Sequence, residues 1–414
     1  GIDTGCGVMN CRHCQQPLTL PFIDLGVMPP SNAYLSSLEQ CKQEQFYPLK
    51  VWVCENCWLA QTEDYTKADE LFTADYAYFS STSTTWVAHA RRFVDQAITQ
   101  LQLSAQSFVV ELAANDGYLL QHFVQSGIPC LGVEPTSATA AAAKAKNIEI
   151  VEDFFGVALA NQLHTDYGKA DLIVANNVLA HVPDINDFVA GIAAMLKPKG
   201  VCSVEFPHLF NLISERQFDT IYHEHYSYLS LHSVRSIMQT AGLAVYKVEK
   251  LPTHGGSLRV WVALMDAVVI EPSVNLVLDE EAQAGMASAD GYRHFQSVIS
   301  TVAKKFHEFL QQAQQENKIV VGYGAAAKGN TFLNYIQVGT ELIPAVFDAA
   351  ISKQGKFLPG SHIPILPPER LAEFNPDYVV ILPWNISDEV IHQMKSVVPS
   401  HCKFVTAIPE LKIG

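Results

Sequence analysis

The densest group of acid–base side chains in this chain is the run Ile-Tyr-His-Glu-His-Tyr-Ser-Tyr, which begins at residue 221. An imidazole is a competent base at neutral pH, a carboxylate can orient it, and a phenol can donate a hydrogen bond to a developing oxyanion. Extended backbone would place Tyr222, Glu224 and Tyr226 on one face and His223 and His225 on the other. The run therefore predicts proton transfer. A hydrogen-bonded polar layer at a strand edge and a His-Glu-His metal site are the alternatives.

Two Cys-x-x-Cys pairs predict a metal site near the start of the chain. Cys11 and Cys14 form the first pair and Cys54 and Cys57 the second, with 39 residues between them. Four thiolates on two tight turns suit the tetrahedral shell of a structural Zn²⁺, while buried or redox-active pairs are the alternative. Because four cysteines complete that shell, we expect His13 to be an exposed loop residue and not a ligand.

From about residue 85, strand-like runs alternate with helix-like ones, which predicts an α/β fold with a parallel sheet. One strand carries Glu111 and leads into a small-residue turn, and the next ends at Glu134, where an acidic residue can bind ribose hydroxyls. Both a nicotinamide and an adenosyl cofactor fit this plan. The turn favours S-adenosylmethionine, because Asp116 would repel a pyrophosphate and S-adenosylmethionine carries a cationic sulfur and no phosphate.

Farther along, the pattern predicts a helix over 185–196, a strand over 201–206 and a helix over 292–314. The acidic segment 271–289 is expected to be irregular and to mark a boundary. A strand over 318–324 then leads into the glycine turn of Gly-Tyr-Gly-Ala-Ala-Ala-Lys-Gly. That turn suits a phosphate at a helix start, and taken alone it is also compatible with a nicotinamide site.

Composition limits the classes of function. The chain has 414 residues, 45.6 kDa, 27 Lys and Arg against 42 Asp and Glu, and a formal net charge of −15. This length predicts two or three domains, and the negative charge disfavours nucleic acid as a partner. Because no membrane span or secretory signal is recognisable, we expect a cytoplasmic enzyme with no membrane partner.

Several motifs, taken in order, resemble those of one enzyme family. The series ELAANDG, VEP, VEDFF and ANNVLAHVPD resembles the successive motifs of class I S-adenosylmethionine-dependent methyltransferases. The full set resembles the C-methyltransferases of nucleotide-linked 4-keto deoxysugars, a three-domain family with an N-terminal zinc domain. It comprises both cysteine pairs, YAYFSSTSTTW at 76–86, ELAANDG at 111–117, YHEHYSYLS at 222–230, HGGSLR at 254–259 and GYGAAAKGN at 322–330. The resemblance covers almost the whole chain beyond Met9.

The resemblance implies a zinc-binding domain at 9–72, a class I methyltransferase domain with a Rossmann-like sheet at 73–270, and a C-terminal Rossmann-like α/β domain at 271–414. Its cofactors would be S-adenosylmethionine and a structural Zn²⁺. The residues expected around S-adenosylmethionine are Glu111, Ala113, Asn115, Gly117, Glu134, Pro135, Asp153, Phe154 and Asn176.

The implied reaction is C-methylation of a 4-keto deoxysugar on a nucleoside diphosphate at carbon 3, with carbon 5 left open by the same enolate chemistry. The resemblance implies that His225 is the base, that Glu224 orients it or relays a proton, and that Tyr222 lies near the sugar. It also implies that Tyr76 closes over cofactor and substrate. His181 would face the reacting carbon or polarise the ketone, with a helix-start histidine as the alternative.

The remaining implied contacts are to the substrate. Lys328 and Asn330 would hold the diphosphate, and Lys353 and Gln354 lie in a second basic loop that could do the same or be a solvated turn. Ser257 and Arg259 are expected to contact the substrate as well. Two other functions stay open: a nicotinamide-dependent oxidoreductase or epimerase of nucleotide sugars, and a zinc-ribbon binding module. The oligomeric state and the exact sugar are not predicted.

Overall fold

The computed structural model describes residues 9–63 and 78–414. Its strands are, in chain order, β1 (Leu20–Met28), β2 (Tyr47–Val53), β3 (Ala60–Thr62), β4 (Val109–Leu112), β5 (Cys130–Val133), β6 (Ile150–Val151), β7 (Ala170–Asn176), β8 (Leu196–Pro207), β9 (Ser227–Tyr228), β10 (Leu243–Leu251), β11 (Ser257–Leu264), β12 (Val320–Tyr323), β13 (Val346–Phe347), β14 (Ile365–Leu366), β15 (Tyr378–Ile381), β16 (Lys403–Thr406) and β17 (Lys412–Ile413).

The α-helices of the same residues are α1 (Leu38–Cys41), α2 (Thr84–Leu101), α3 (Leu120–Gln125), α4 (Ser137–Lys144), α5 (Val157–Tyr167), α6 (Ile185–Met195), α7 (Leu209–Ser214), α8 (Leu231–Thr240), α9 (Pro272–Gln283), α10 (Phe295–Gln315), α11 (Ala327–Tyr335) and α12 (Ser387–Met394). Short 3₁₀ turns connect several of these elements. Three of those turns matter for the site: Leu179–His181, Phe218–Thr220 and Thr253–Gly255. Within the described ranges, no helix combines the length and the apolar character needed to cross a bilayer.

The first sheet is antiparallel and has the strand order β1-β2-β3-β9. Its last strand does not come from the N-terminal segment: β9 belongs to the histidine-rich run, and Ala60 pairs with Tyr228 and Gln61 with Ser227. The strand β2 buries alternate side chains, which pack in one cluster with residues of α10. The sheet therefore joins the cysteine-bearing segment directly to the residues that could do proton transfer.

The central sheet has the order β10-β11-β8-β7-β4-β5-β6. Its strands from β4 to β8 are parallel, and β10 and β11 are antiparallel additions at one edge. Every residue of β4 is buried and only one residue of β7 is not, as expected for a parallel sheet with helices on both faces. The predicted Rossmann-like central sheet is confirmed.

The C-terminal sheet has the order β14-β13-β12-β15-β16-β17, with only β17 antiparallel. Its first strand, β12, lies in the middle, with β13 and β14 on one side and β15 and β16 on the other. The central sheet is wound in the same way around β4. The predicted C-terminal Rossmann-like α/β region is confirmed, whereas the domain limits 9–72, 73–270 and 271–414 stay predictions.

Two local predictions were wrong. Residues 271–289 are not irregular, because 272–283 form α9. This helix buries Val274, Val277 and Glu281 on one face, and Glu281 accepts hydrogen bonds from His208 Nε2 at 2.6 Å and from the amides of Leu231 at 2.6 Å and His232 at 3.0 Å. The strand expected over 201–206 is also longer, since β8 begins directly after α6.

The contacts of Glu281 predict a large stability difference between two adjacent carboxylates. Glu281→Ala leaves His208 and two backbone amides at the start of α8 buried without an acceptor, so the free energy of unfolding should fall by about 3–5 kcal/mol. Glu280→Ala removes a partly exposed pair with Lys250 and should cost at most about 1 kcal/mol. Urea unfolding followed by circular dichroism compares the two, and equal losses would contradict the role given to Glu281.

Candidate active site and metal centre

The four predicted metal ligands meet in one cluster. The Sγ atoms of Cys11, Cys14, Cys54 and Cys57 all lie within 4.8 Å of one another, with Cys11–Cys57 and Cys14–Cys54 separations of 3.5 Å. Tetrahedral Zn–S bonds of about 2.3 Å would place the sulfurs about 3.8 Å apart, so the spacing fits Zn²⁺. The cysteine pairs are therefore the zinc-binding residues of a structural site, since all four positions of the shell are filled by protein.

Hydrogen bonds to sulfur favour the thiolate form that a metal needs. The amide of His13 donates to Cys11 Sγ at 3.4 Å, the amide of Asn56 to Cys54 Sγ at 3.4 Å, and the Gln61 side chain to Cys11 Sγ at 3.2 Å. Hydrogen bonding from Cys57, with further bonds from Gln61 and the backbone, lowers the pKa of Cys11, and the same hydrogen bond to Cys11 raises the pKa of Cys57. Cys11 is therefore the thiol of this pair that loses its proton first.

His13 is not the exposed loop residue that the sequence suggested. It is buried, its Nδ1 lies 2.6 Å from Asn186 Oδ1, and Asn186 Nδ2 donates to the His13 carbonyl at 2.7 Å. The prediction failed because the first cysteine turn docks on the start of α6, a contact between residues 173 positions apart.

The histidine-rich run is a turn and not an extended strand. The amide of His225 donates to the Tyr222 carbonyl at 3.0 Å, and the rings of these residues are 5.4 Å apart. The expectation that Tyr222 and His225 lie on opposite faces was therefore wrong. The chain has to reverse between the 3₁₀ turn at 218–220 and β9, and this reversal brings the phenol and the imidazole together.

His181 and His225 form a stacked pair with ring centroids 4.8 Å apart. His181 Nδ1 lies 2.9 Å from the Glu224 carbonyl and His225 Nδ1 lies 3.1 Å from the Thr220 carbonyl. A carbonyl oxygen only accepts, so each Nδ1 carries the proton and each Nε2 has a free lone pair. Burial lowers the pKa of both rings, and for His225 the neighbouring His181 adds to this effect. Both imidazoles are therefore neutral at neutral pH.

A backbone hydrogen bond joins the loops that carry this pair. The amide of Tyr226, next to His225, donates to the carbonyl of Ala180, next to His181, at 2.8 Å. Tyr228 also lies against His225, with ring centroids 4.3 Å apart, and its hydroxyl accepts from the Tyr222 amide at 3.3 Å. Sequence reasoning missed Tyr228, although it belongs to the same motif.

Other predicted residues of the run have different surroundings. The Glu224 carboxylate accepts a hydrogen bond from Asn32, and burial raises its pKa to about 7. Its backbone carbonyl accepts from His181, so Glu224 contacts the histidine pair through the main chain. His223 Nε2 lies 3.1 Å from the Tyr47 carbonyl of β2. Tyr76 lies outside the described residues.

The expected cofactor crevice lies at the carboxyl ends of β4, β5 and β7. Glu134 accepts from the amides of Asn115 at 3.0 Å and Thr136 at 2.8 Å. Glu111 is fully buried, and neither of its carboxylate oxygens has a hydrogen-bond partner within the described chain. Burial raises the pKa of Glu111, and the nearby Glu134 carboxylate raises it further. The Asn176 side-chain oxygen is likewise buried without a partner.

These unpartnered acceptors fit a ligand that brings positive charge and N–H or O–H donors. S-adenosylmethionine has an ammonium group, a sulfonium and ribose hydroxyls, so the donor set of the crevice matches this cofactor. Residues 78–81 cover the crevice: Asn115 Nδ2 donates to the Tyr78 carbonyl at 2.8 Å, and the Ser81 hydroxyl to Asp116 at 2.9 Å.

The remaining predicted cofactor residues lie around the same edge. Ala113 and Gly117 are in the turn after β4 and both have positive φ, +58° and +84°. Pro135 follows β5. Asp153 and Phe154 follow β6, and the Phe154 ring is 47% exposed.

Two of the predicted substrate residues lie near the start of α11, Lys328 in its first turn and Lys353 against the loop that precedes it. Lys328 Nζ donates to Asn385 Oδ1 at 2.7 Å and lies 4.6 Å from the Trp384 ring centre. Lys353 Nζ donates to the Ala325 carbonyl at 2.9 Å. Burial lowers the pKa of both amines, opposed by Asp219 for Lys328 and by Asp348 for Lys353. Each amine would gain charge stabilisation from a bound anion.

The other predicted substrate residues are held by the protein itself. The Ser257 hydroxyl donates to the Thr253 carbonyl, Asn330 Nδ2 to the Ser31 carbonyl and Gln354 Nε2 to the Asp348 carbonyl. Arg259 is buried and its guanidinium donates to Glu205 at 2.6 and 2.9 Å and to Glu249 at 2.9 Å. These contacts do not support a substrate role for Arg259.

His254 is a residue that sequence reasoning did not select. It is exposed, has φ +53°, and its ring lies 5.3 Å from that of Trp86. The motif HGGSLR could have indicated this residue, because His254 at its start is exposed whereas Arg259 at its end is buried.

Comparisons with known proteins match three consecutive parts of the chain. Residues 11–72 match a family model described as a zinc binding domain, residues 86–248 a methyltransferase domain, and residues 252–409 a C-methyltransferase C-terminal domain. The C-methyltransferase NovU of Streptomyces niveus is 34% identical over 405 residues, which cover 98% of this chain and 96% of that protein.

Two further similarities are partial. The ubiquinone biosynthesis O-methyltransferase of Rhodopseudomonas palustris strain BisA53 is 27% identical over 119 residues, which cover 28% of this chain and 46% of that protein. Among solved structures, magnesium protoporphyrin IX methyltransferase of Synechocystis PCC 6803 with bound S-adenosylmethionine matches with a TM-score of 0.32 and 15% identity. That match covers 43% of this chain and 80% of the other.

The cysteine cluster predicts metal content directly. Cys57→Ser removes one of four thiolates, so the metal per chain measured by inductively coupled plasma mass spectrometry should fall from about one Zn²⁺ to a small fraction of that. Cys41→Ser changes a cysteine of the same region whose sulfur contacts the Ser37 carbonyl, and should leave the metal content unchanged. Equal zinc content in both variants would contradict the four-thiolate assignment.

Proposed function

Because this chain belongs to the C-methyltransferase family and is an S-adenosylmethionine-dependent enzyme, we propose that its substrate is a 4-keto deoxysugar linked to a nucleoside diphosphate. Methylation takes place at carbon 3. The observation that carries the proposal is the stacked His181–His225 pair, in which both Nε2 atoms are unprotonated. A methyl transfer to carbon needs such a base, because the carbon must first lose a proton.

The base in this proposal is His225. A ketone at carbon 4 acidifies the hydrogen on carbon 3, and Nε2 of His225 takes that proton. The electron pair of the broken C–H bond then forms the enolate double bond, and negative charge develops on the ketone oxygen. Bound S-adenosylmethionine supplies an electrophilic methyl group on a cationic sulfur. Its ammonium and ribose would be held by Glu111 and Glu134.

Tyr222 is the proposed donor to the enolate oxygen. Its ring lies against His225, and burial together with the Glu224 charge raises its pKa, so the phenol keeps its proton at neutral pH. A protonated phenol in a water-poor site stabilises a developing oxyanion. His181 stacks on His225 and on Tyr222, with ring separations of 4.8 and 6.4 Å, and thereby fixes both rings against the sugar.

The diphosphate is assigned to Lys328 and Lys353. Both amines lie beside the turn that precedes α11, where backbone amides and the helix dipole also favour an anion. Arg259 is left out of the substrate site, because Glu205 and Glu249 already accept its hydrogen bonds. The buried Glu111 carboxylate disfavours a nicotinamide dinucleotide in the crevice of the central sheet, since it would repel the pyrophosphate.

The decisive experiment is to incubate the protein with S-adenosylmethionine and a panel of thymidine-diphospho-4-keto deoxysugars. We expect mass spectrometry to show the gain of one methyl group and carbon–proton NMR to place it on carbon 3. A methyl group on carbon 5 would correct the position while keeping the enolate chemistry. If no sugar gains a methyl group although the protein binds S-adenosylhomocysteine, the proposed substrate is wrong.

A histidine substitution separates chemistry from binding. His225→Gln removes the proposed base, so kcat should fall by about 100- to 10,000-fold while the affinity for S-adenosylhomocysteine stays the same. His223→Gln is the matched control, because the His223 ring faces the Tyr47 carbonyl of β2 and should affect kcat far less. Unchanged turnover in His225→Gln, or equal losses in both variants, would remove His225 from the base role.

A further inference from the structure

We propose that Arg12, which lies inside the first zinc-binding turn, is a positioning residue for the His181–His225 pair, so that the metal site contributes to the rate of proton removal. The kinetic part of this inference rests on the proposed function. Arg12 acts through the backbone around the two histidines. Its contacts reach both of the chain segments that carry them.

The first contact is to the segment that carries His181. Arg12 Nη1 donates to the carbonyl of Pro183 at 2.8 Å, two residues after His181. Beside it, Asn186 of α6 exchanges hydrogen bonds with His13, at 2.6 and 2.7 Å. The Arg12–His13 turn thus holds the residues immediately after His181 at two points.

The second set of contacts is to the segment that carries His225. Arg12 Nη2 donates to the Thr62 carbonyl at 2.7 Å, and the Thr62 amide donates to the Tyr226 carbonyl at 3.0 Å. The guanidinium also lies 5.3 Å from the centre of the Tyr226 ring. Tyr226 follows His225 directly and donates from its amide to Ala180. One side chain therefore braces both ends of the backbone link that sets the histidine separation.

The zinc-binding turn fixes the backbone position of Arg12. Cys11 and Cys14 flank it, its amide donates to Gln61 Oε1 at 2.8 Å, and Gln61 Nε2 donates to Cys11 Sγ at 3.2 Å. A planar guanidinium offers donors in two directions and a face for an aromatic ring, which a lysine ammonium cannot reproduce. An arginine at this position can bridge two carbonyls and stack at once.

This geometry predicts an effect on the chemical step and not on cofactor binding. The crevice residue Glu111 lies on β4, Asn115 in the turn after β4 and Glu134 directly after β5. None of these elements carries Pro183, Thr62 or Tyr226, which Arg12 contacts. A displacement of a base by about 1 Å can lower the rate by about 100-fold. Loss of the Arg12 brace should therefore lower kcat while the affinity for S-adenosylhomocysteine is unchanged.

The test compares Arg12→Lys and Arg12→Met in the full, zinc-loaded chain. In both variants we expect kcat to fall by about 10- to 100-fold. KM for the sugar, the S-adenosylhomocysteine affinity and the zinc content should stay near wild type. Lys50→Met is the matched control: Lys50 lies 4.2 Å from the Trp52 ring in the same sheet, and its loss should leave kcat unchanged. The inference is overturned if kcat is unchanged, or if it falls only together with zinc content or cofactor affinity.

A second readout does not depend on the substrate. Nitrogen-15 NMR of labelled histidines reports which ring nitrogen carries the proton, and in the wild type His181 and His225 should both be Nδ1-protonated. In Arg12→Met the two signals should move toward a mixture of tautomers, whereas Lys50→Met should retain the wild-type pattern. Unchanged tautomers in Arg12→Met would contradict the positioning role. If they shift as expected but no sugar is methylated even by wild-type protein, the proposed substrate fails and the role of Arg12 stands.

Discussion

The arrangement of the two stacked histidines depends on a backbone hydrogen bond from the amide of Tyr226 to the carbonyl of Ala180. These residues are neighbours of His225 and His181, which lie on loops from different parts of the chain. Together with the hydrogen bond from His181 Nδ1 to the Glu224 carbonyl, this bond keeps the two rings stacked. The zinc-bearing sheet stabilises this bond, because the Thr62 amide donates to the Tyr226 carbonyl. The histidine pair therefore sits where two sheets meet.

The central sheet and the C-terminal sheet each form a crevice at the carboxyl ends of their parallel strands. The two crevices have the same backbone geometry, but their side chains carry opposite charge. The first residue after the central strand is left-handed in both, Ala113 at φ +58° and Gly324 at φ +91°. The acidic residue after the second strand accepts two amides in both: Glu134 from Asn115 and Thr136, and Asp348 from Ala325 and Ala350.

The side chains around these crevices differ in sign. The first contains the buried Glu111 carboxylate, which suits a cationic ligand, and the second is flanked by the amines of Lys328 and Lys353. Crevices of the same backbone plan therefore suit ligands of opposite charge. The selection between them is electrostatic and not topological.

Local sequence patterns predicted the features that depend on neighbouring residues, or on residue types with one characteristic role. The cysteine pairs indicated the metal site, and strands that carry or end at Glu111 and Glu134 indicated the cofactor edge. Prediction failed where a distant contact decides. The helix α9 has its buried Glu281 opposite His208, 73 positions away, and His13 is buried by Asn186. The turn at 222–225 was misread because alternation alone cannot show a chain reversal.

The strand β9 has a consequence for how the molecule can be divided. It lies far along the chain, yet it completes the sheet built by the first sixty residues. A fragment ending at residue 72 would expose the edge of Ala60 and Gln61, and the complementary fragment would leave Ser227 and Tyr228 without their strand partners, directly after the segment that carries His225. The two parts are therefore not exchangeable modules. If the zinc-bearing segment were replaced by that of a relative, its strand β3 would have to pair with the β9 of this chain.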